Sequence, residues 1–168
     1  MSEPVVLIVM GSDSDLPTME AAATILTSFG VPFEMRISSA HRSPKRTAQL
    51  ASDAAGRGVQ LIIAAAGMAA HLAGVIAAET LLPVIGVPMG GGALSGMDAL
   101  YATVQMPGGI PVATMAIGTA GAKNAGLFAV QILSLADPAL RAKFAAYREQ
   151  MAVEVEQKDA ALQAARRP

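Results

Sequence analysis

Cysteine is absent from the 168 residues, which excludes disulfides, thiolate catalysis and a metal site built on sulfur. Charge is scarce as well. Asp, Glu, Lys and Arg make up 15% of the chain, where an average soluble domain carries about 25%. The formal net charge of −1 leaves no electrostatic footprint for nucleic acid, which calls for a clustered basic face. Unbroken apolar runs of membrane length are also missing. Residues 59–78 and 99–122 carry no charge and are long enough to span a bilayer. The first, however, holds Gln60, Gly67, His71 and Gly74, and the second holds Pro107-Gly108-Gly109 and Pro111. Both read as strand–loop–helix units broken by turn residues. With 53% hydrophobic residues and a mean hydropathy of +0.47, a chain outside the membrane has too few charges to be wetted all round. The expectation is therefore a homo-oligomer. The start, Met1-Ser2-Glu3-Pro4, lacks the basic stretch of a signal peptide, so the expected location is the cytoplasm.

What is present is an alternation. Short apolar, β-branched runs at residues 5–10, 33–38, 61–66, 84–87 and 112–117 read as strands. Between and after them lie Ala-rich helical segments at 16–29, 44–55, 69–80, 96–105 and 120–135. Pro17 and Gly30 bracket the first helix, and Ser43 stands where the second needs an N-cap. This rhythm predicts a three-layer α/β domain with a parallel sheet and helices on both faces. Residues 1–168 form a single catalytic domain on this reading, with its core at about residues 4–135. A further helix over about 137–160 opens at Asp137-Pro138. It carries one apolar stripe of Leu140, Phe144, Tyr147, Met151 and Val155, a face that must fold back or pack on a neighbouring subunit. The Ala- and Arg-rich tail from Gln157 is expected to fray.

In such a sheet, ligands bind beyond the carboxyl ends of the strands, and four loops there are polar or rich in glycine. Gly11-Ser12-Asp13-Ser14-Asp15 opens a helix. Its backbone N–H groups and hydroxyls suit a phosphate, and Asp15 suits ribose hydroxyls; the plainer reading is a Ser/Asp helix cap. Ser39-Ala40-His41-Arg42 supplies a hydroxyl, a guanidinium that can fork onto phosphate oxygens and an imidazole suited to proton transfer near neutral pH. A surface loop without a task is its alternative. Gly67-Met68-Ala69-Ala70-His71-Leu72 lets a ligand ring approach the backbone, and His71, read within a helix, is favoured as a hydrogen-bonded structural residue. Met89-Gly90-Gly91-Gly92 through Gly96 reads as a lid or a subunit contact. No GxGxxG in the right place, GxxxxGK[ST], HExxH or carboxylate cluster is present, so no metal or nucleotide cofactor is expected.

The ordered set Gly11-Ser12-x-Ser14-Asp15, Ser39-Ala40-His41-Arg42, Ala69-Ala70-His71-Leu72, Ala93-Leu94-Ser95-Gly96 and Val104-Gln105-Met106-Pro107-x-Gly109-Ile110-Pro111-Val112 resembles the bacterial N5-carboxyaminoimidazole ribonucleotide mutase family, the class I aminoimidazole ribonucleotide carboxylases. The resemblance runs from about Val5 to Leu133. It implies a flavodoxin-like three-layer fold and a homo-octamer in which the C-terminal helix packs on a neighbour. It also implies conversion of N5-carboxyaminoimidazole ribonucleotide to 4-carboxy-5-aminoimidazole ribonucleotide without ATP, metal or biotin, with CO2 as a bound intermediate. His41 would be the acid/base. Gly11, Ser12, Ser14, Asp15, Ser39, Ala40 and Arg42 would hold the ribonucleotide, and Gly67, Met68, Ala69, His71 and Leu72 would line the carboxylate and CO2 pocket. Many relatives read Gly-Gly-Ala-Ala-His-Leu-Pro-Gly where this chain has Met68 and Ala73, which alters loop bulk. Two other readings are direct carboxylation of aminoimidazole ribonucleotide by the class II relatives, in which Arg42 is typically Lys, and a non-enzymatic flavodoxin-like nucleotide-binding module. A flavin carrier would need aromatic loop residues that this chain lacks.

Overall fold

The computed structural model describes residues 3–166. Five strands, β1 (Val6–Met10), β2 (Phe33–Ile37), β3 (Leu61–Ala66), β4 (Val84–Pro88) and β5 (Ala113–Thr114), alternate with helices α1 (Leu16–Phe29), α2 (Pro44–Ala54), α3 (Leu72–Glu79), α4 (Met97–Val104) and α5 (Thr119–Leu133). Helix α6 (Pro138–Ala165) follows. The strands form one sheet in the order β2-β1-β3-β4-β5, and every pairing is parallel. This is the flavodoxin-like doubly wound order, whose winding reverses between β1 and β3. The chain divides into a compact unit ending at Ala129 and a second beginning at Val130.

Strand β1 is buried along its whole length, as a central parallel strand covered by helices must be. Alternation sends its residues to opposite faces. Leu7 and Val9 join Ile62 and Ala64 of β3 and Val84 of β4 in a core with Ala51 and Ala54 of α2 and Leu72, Ala73 and Ile76 of α3. Helix α1 ends where Gly30 takes the left-handed conformation at φ 72 and donates its N–H to the Leu26 and Thr27 carbonyls, the C-terminal device expected of glycine. Strand β4 carries one required absence of a side chain. A Cβ on Gly86 would run into Thr103 Cγ2 and sit 3.0 Å from Val112 Cγ1. Thr103 is itself buried and donates to the Ala99 carbonyl at 2.7 Å. Overpacking of this kind costs about 1–3 kcal/mol, so Gly86→Ala is expected to lower the thermal midpoint; an unchanged midpoint would show that α4 retreats freely.

Three sequence expectations need correction. The third helix starts at Leu72, three residues later than expected, because Met68 turns left-handed at φ 54. The following N–H groups then close tight turns, Ala70 to Met68 O and His71 to Ala69 O, both at 2.8 Å. His71 is thus the exposed N-cap residue rather than a helix-interior one. The fifth strand is only two residues long, pairing solely through Ile85↔Ala113 and Gly86↔Thr114; an edge strand with a single neighbour has little to extend it. Finally, α6 does not fray at Gln157 or stop near residue 160 but continues to Ala165. Asp137 caps its start, accepting from the Ala139 and Leu140 N–H groups at 2.9 and 3.0 Å. Its last turns are rich in alanine, the strongest helix former.

Candidate active site

The carboxyl ends of β1, β2, β3 and β4 deliver four loops to one cavity of about 580 Å³, within the range of small-molecule sites. Short bonds draw the strand ends together: Gly11 N–H donates to Ala65 O at 3.0 Å and Met89 N–H to Ala66 O at 2.9 Å.

The first loop is a capping box. Ser12 N–H donates to the Asp15 carboxylate at 3.3 Å, and Ser14 N–H donates to Ser12 Oγ at 3.4 Å. Ser14 N–H also reaches Asp13 Oδ1 at 3.1 Å, and Asp15 N–H donates to Ser12 O at 3.3 Å. Residues 12, 14 and 15 therefore spend their N–H groups inside the turn, and Gly11 spends its own on Ala65 O of β3. Those N–H groups are thus not the free backbone donors expected from the sequence, and beside them the Ser12 and Ser14 hydroxyls donate to Asp13 Oδ1 at 3.0 Å and Asp15 Oδ1 at 3.5 Å. Asp15 is buried at 9% exposure. Burial pushes its carboxyl above the usual 3.8, against the lowering effect of the bonds from Ser12 and Ser14. A raised folded value means that protonation favours the fold: this stability is complete below the unfolded value and is lost as pH rises through the folded one. Asp15→Asn keeps an acceptor for Ser12 and removes the buried charge. The variant is expected to melt at a higher temperature than the parent at pH 7, with the difference vanishing near pH 3. A lower midpoint at pH 7 would contradict this.

The second loop is folded by its own hydroxyls. Ser43 occupies the N-cap position of α2 but makes no side-chain cap bond. Its hydroxyl instead accepts from Ser39 N–H and donates to Ser39 O, both at 3.0 Å. Below it Ser38 Oγ and Thr47 Oγ1 are 2.9 Å apart. Arg42 N–H donates to Ser39 Oγ at 3.1 Å, and its Nη2 reaches across to Gly11 O at 3.2 Å. One of the five guanidinium donors thus pins the second loop to the first, leaving the rest of the fork for a ligand. His41 stands between these two residues' loops and the third. Its Nε2 lies 2.9 Å from His71 Nδ1, with the rings nearly perpendicular at 88°.

Gly11, Ser12, Ser14, Asp15, Ser39, Ala40, His41 and Arg42 of the first two loops and Gly67, Met68, Ala69 and Leu72 of the third line the cavity. Of the residues singled out from sequence, His71 alone is not in the lining; it meets the site through His41. Ala66, Met89, Gly90, Gly91 and Gly92, which belong to the third and fourth loops but are not singled out as ligand-binding residues from the sequence, also line the cavity. Their position just past strand ends was the available signal. Gly91 and Gly92 have φ of 141 and 64, conformations open to glycine. Met68 adopts φ 54 without that freedom, at a cost of about 1–2 kcal/mol. The cavity has two characters: hydroxyls, a carboxylate and a guanidinium from the loops after β1 and β2, and small or apolar groups from those after β3 and β4. Among the described residues no group of three or more His, Asp or Glu is placed to hold a metal ion, and no helix is long and apolar enough to cross a membrane.

Residues 5–154 match the family model described as AIR carboxylase. The chain is 56% identical over 160 residues to the N5-carboxyaminoimidazole ribonucleotide mutase of Synechocystis, spanning 95% of this chain and 90% of that one. It is 53% identical to the mutase of Mycobacterium tuberculosis over 95% of this chain and 91% of the relative, and 52% identical to that of Thermotoga maritima over 92% and 90%. The crystal structure of Treponema denticola PurE superposes with a TM-score of 0.86 at 31% identity, covering 95% of this chain and 98% of that one.

Proposed function

This chain belongs to the AIR carboxylase family, and from that premise we infer that it is a mutase of purine biosynthesis, converting N5-carboxyaminoimidazole ribonucleotide to 4-carboxy-5-aminoimidazole ribonucleotide. The single observation that carries the assignment of roles is the place of His41, a cavity-lining imidazole on the polar second loop whose ring also meets His71 of the third loop. Arg42, Ser12, Ser14 and Ser39 hold the 5-phosphate end, and Asp15 accepts from the ribose hydroxyls. This directs the imidazole ring and its N-carboxylate toward Ala66, Gly67, Met68, Ala69, Leu72 and Met89.

The chemistry follows from that orientation. The N-carboxylate is a carbamate, and moving it from water into an apolar pocket favours loss of CO2. The N–C bond breaks, its electron pair stays on nitrogen, and nitrogen takes up a proton. C4, activated by that amino group, attacks the carbon of the trapped CO2. The hydrogen on C4 then leaves as a proton and the ring regains aromaticity. Nitrogen gains one proton and C4 loses one, so a single acid/base, His41, closes the cycle without an external reductant or oxidant. The third and fourth loops retain CO2 while this happens. The enzyme works in the cytoplasm with its soluble substrate.

Supplying each substrate by itself tests the assignment. Turnover of N5-carboxyaminoimidazole ribonucleotide without added bicarbonate is expected, and efficient use of aminoimidazole ribonucleotide plus bicarbonate in its place would overturn it.

The assembly we assign is a homo-octamer, with α6 on a neighbouring subunit and the chain as one catalytic domain. Its support is the family resemblance and the apolar residues left uncovered. Met97, Tyr101 and Val104 share one exposed face of α4, and Met151, Val155 and Leu162 are exposed along α6. Light scattering is expected to give about eight times the 17.1 kDa chain mass. A 17 kDa particle would refute any interface explanation of the low charge.

A further inference from the structure

His41 needs an orienting partner if one nitrogen is to lose and regain a proton in each cycle. In other acid–base sites a carboxylate holds the far nitrogen and fixes the tautomer. Among the described residues neither His41 nor His71 forms an ion pair, and the group 2.9 Å from His41 Nε2 is His71 Nδ1. Both rings stand on anchored backbone. His71 lies between the buried Ala70 and Leu72, with its N–H bonded to Ala69 O and its carbonyl accepting from Val75 N–H at 2.9 Å. His41 rides on the turn closed by Ser43 N–H to Ser39 O at 2.9 Å. His71 does not line the cavity, and its link to the site is the contact with His41.

We propose that His71 is a positioning residue: its Nδ1 accepts a hydrogen bond from His41 Nε2–H, so that Nδ1 is the nitrogen of His41 that exchanges protons with the substrate. The proton balance selects this direction. When protonated, His41 carries hydrogen on both nitrogens and donates from Nε2 to His71. It gives the Nδ1 proton to the leaving nitrogen and becomes the neutral Nε2–H tautomer, still donating to His71. It then takes the C4 proton at Nδ1 and returns to its starting form. His71 stays neutral throughout, with its own hydrogen on Nε2. The reverse direction, from His71 Nδ1–H to His41 Nε2, would leave neutral His41 with its hydrogen on Nδ1. Giving that proton up would produce an imidazolate, which the pair has no charge to stabilise.

The inference rests on His41 being the acid/base, and the test separates the two. His71→Leu removes the acceptor, whereas His71→Asn places an amide oxygen near the lost Nδ1. With removal of an orienting partner costing about 10–100-fold, kcat of His71→Leu is expected to fall by that factor while KM stays within about twofold. His71→Asn is expected to recover most of it. In the 15N NMR spectrum of histidine-labelled protein, neutral His41 is expected to be the Nε2–H tautomer in the parent and in His71→Asn, and a tautomer mixture in His71→Leu. Wild-type kcat in His71→Leu overturns the proposal, as does equal impairment of both variants with His41's tautomer unchanged, or a neutral His41 found as Nδ1–H in the parent. If His41→Asn turns over normally, the acid/base reading itself fails. If His41→Asn is inactive but His71→Leu is not, only the positioning role fails.

Discussion

Replacing His41 with asparagine is expected to lower kcat by about 10²–10⁴-fold, the usual contribution of a positioned acid/base. Ribonucleotide affinity should hardly change, because the proposed roles give the phosphate and ribose contacts to other residues. Asparagine keeps a hydrogen-bonding group at the position but cannot take up and release a proton near neutral pH. The loop around residue 41 should survive the change, since its closure depends on Ser39, Ser43 and Thr47 rather than on the imidazole. Equilibrium binding of the product alongside single-turnover rates separates these effects. Full turnover in a variant that still binds would remove His41 from the chemistry.

The second large effect is expected at Arg42. Removing a charge-assisted hydrogen bond costs about 1.5–3 kcal/mol, which corresponds to roughly a 10- to 150-fold weaker hold on the ribonucleotide. Arg42→Ala also severs the Nη2 bond to Gly11 O, so the first and second loops lose their direct tie. The loss should fall mainly on KM and be partial in Arg42→Lys, which keeps the charge but not the planar fork. A fall in kcat at unchanged KM would place Arg42 with the chemistry instead. Comparing inorganic phosphate as a competitive inhibitor of parent and variant would locate the loss at the phosphate end.

How much of this was legible in the sequence varied with the kind of signal. Helix α1 and strand β3 have the expected bounds because local chemistry marks their ends: Pro17 and Gly30 for the helix, a run of apolar residues between turn residues for the strand. The convergence of four loops followed from topology alone, since parallel strands bring all their carboxyl ends to one edge. What stayed hidden depended on backbone torsion or on distance along the chain. Nothing in the letters of Gly67-Met68-Ala69-Ala70-His71 says that Met68 turns left-handed and delays the helix to Leu72. That delay takes His71 out of the helix interior and places it against His41, 30 residues away in sequence. Likewise the helix cap was recognisable as a pattern, but that the turn would engage the N–H groups of Ser12, Ser14 and Asp15 was not. The wall formed by Gly90–Gly92 shows the opposite limit. Glycine runs declare conformational freedom and leave open what they enclose.

The central claim is that one carboxyl carbon moves from nitrogen to C4 inside this cavity by way of His41. The most direct measurement is 13C NMR of turnover with N5-carboxyaminoimidazole ribonucleotide labelled in its carboxylate, in unlabelled bicarbonate buffer, for parent and His41→Asn. The account predicts that the parent delivers the label to C4 and that His41→Asn delivers almost none. A product whose carboxylate comes from the unlabelled pool, or label transfer by His41→Asn at the parent's rate, would contradict it.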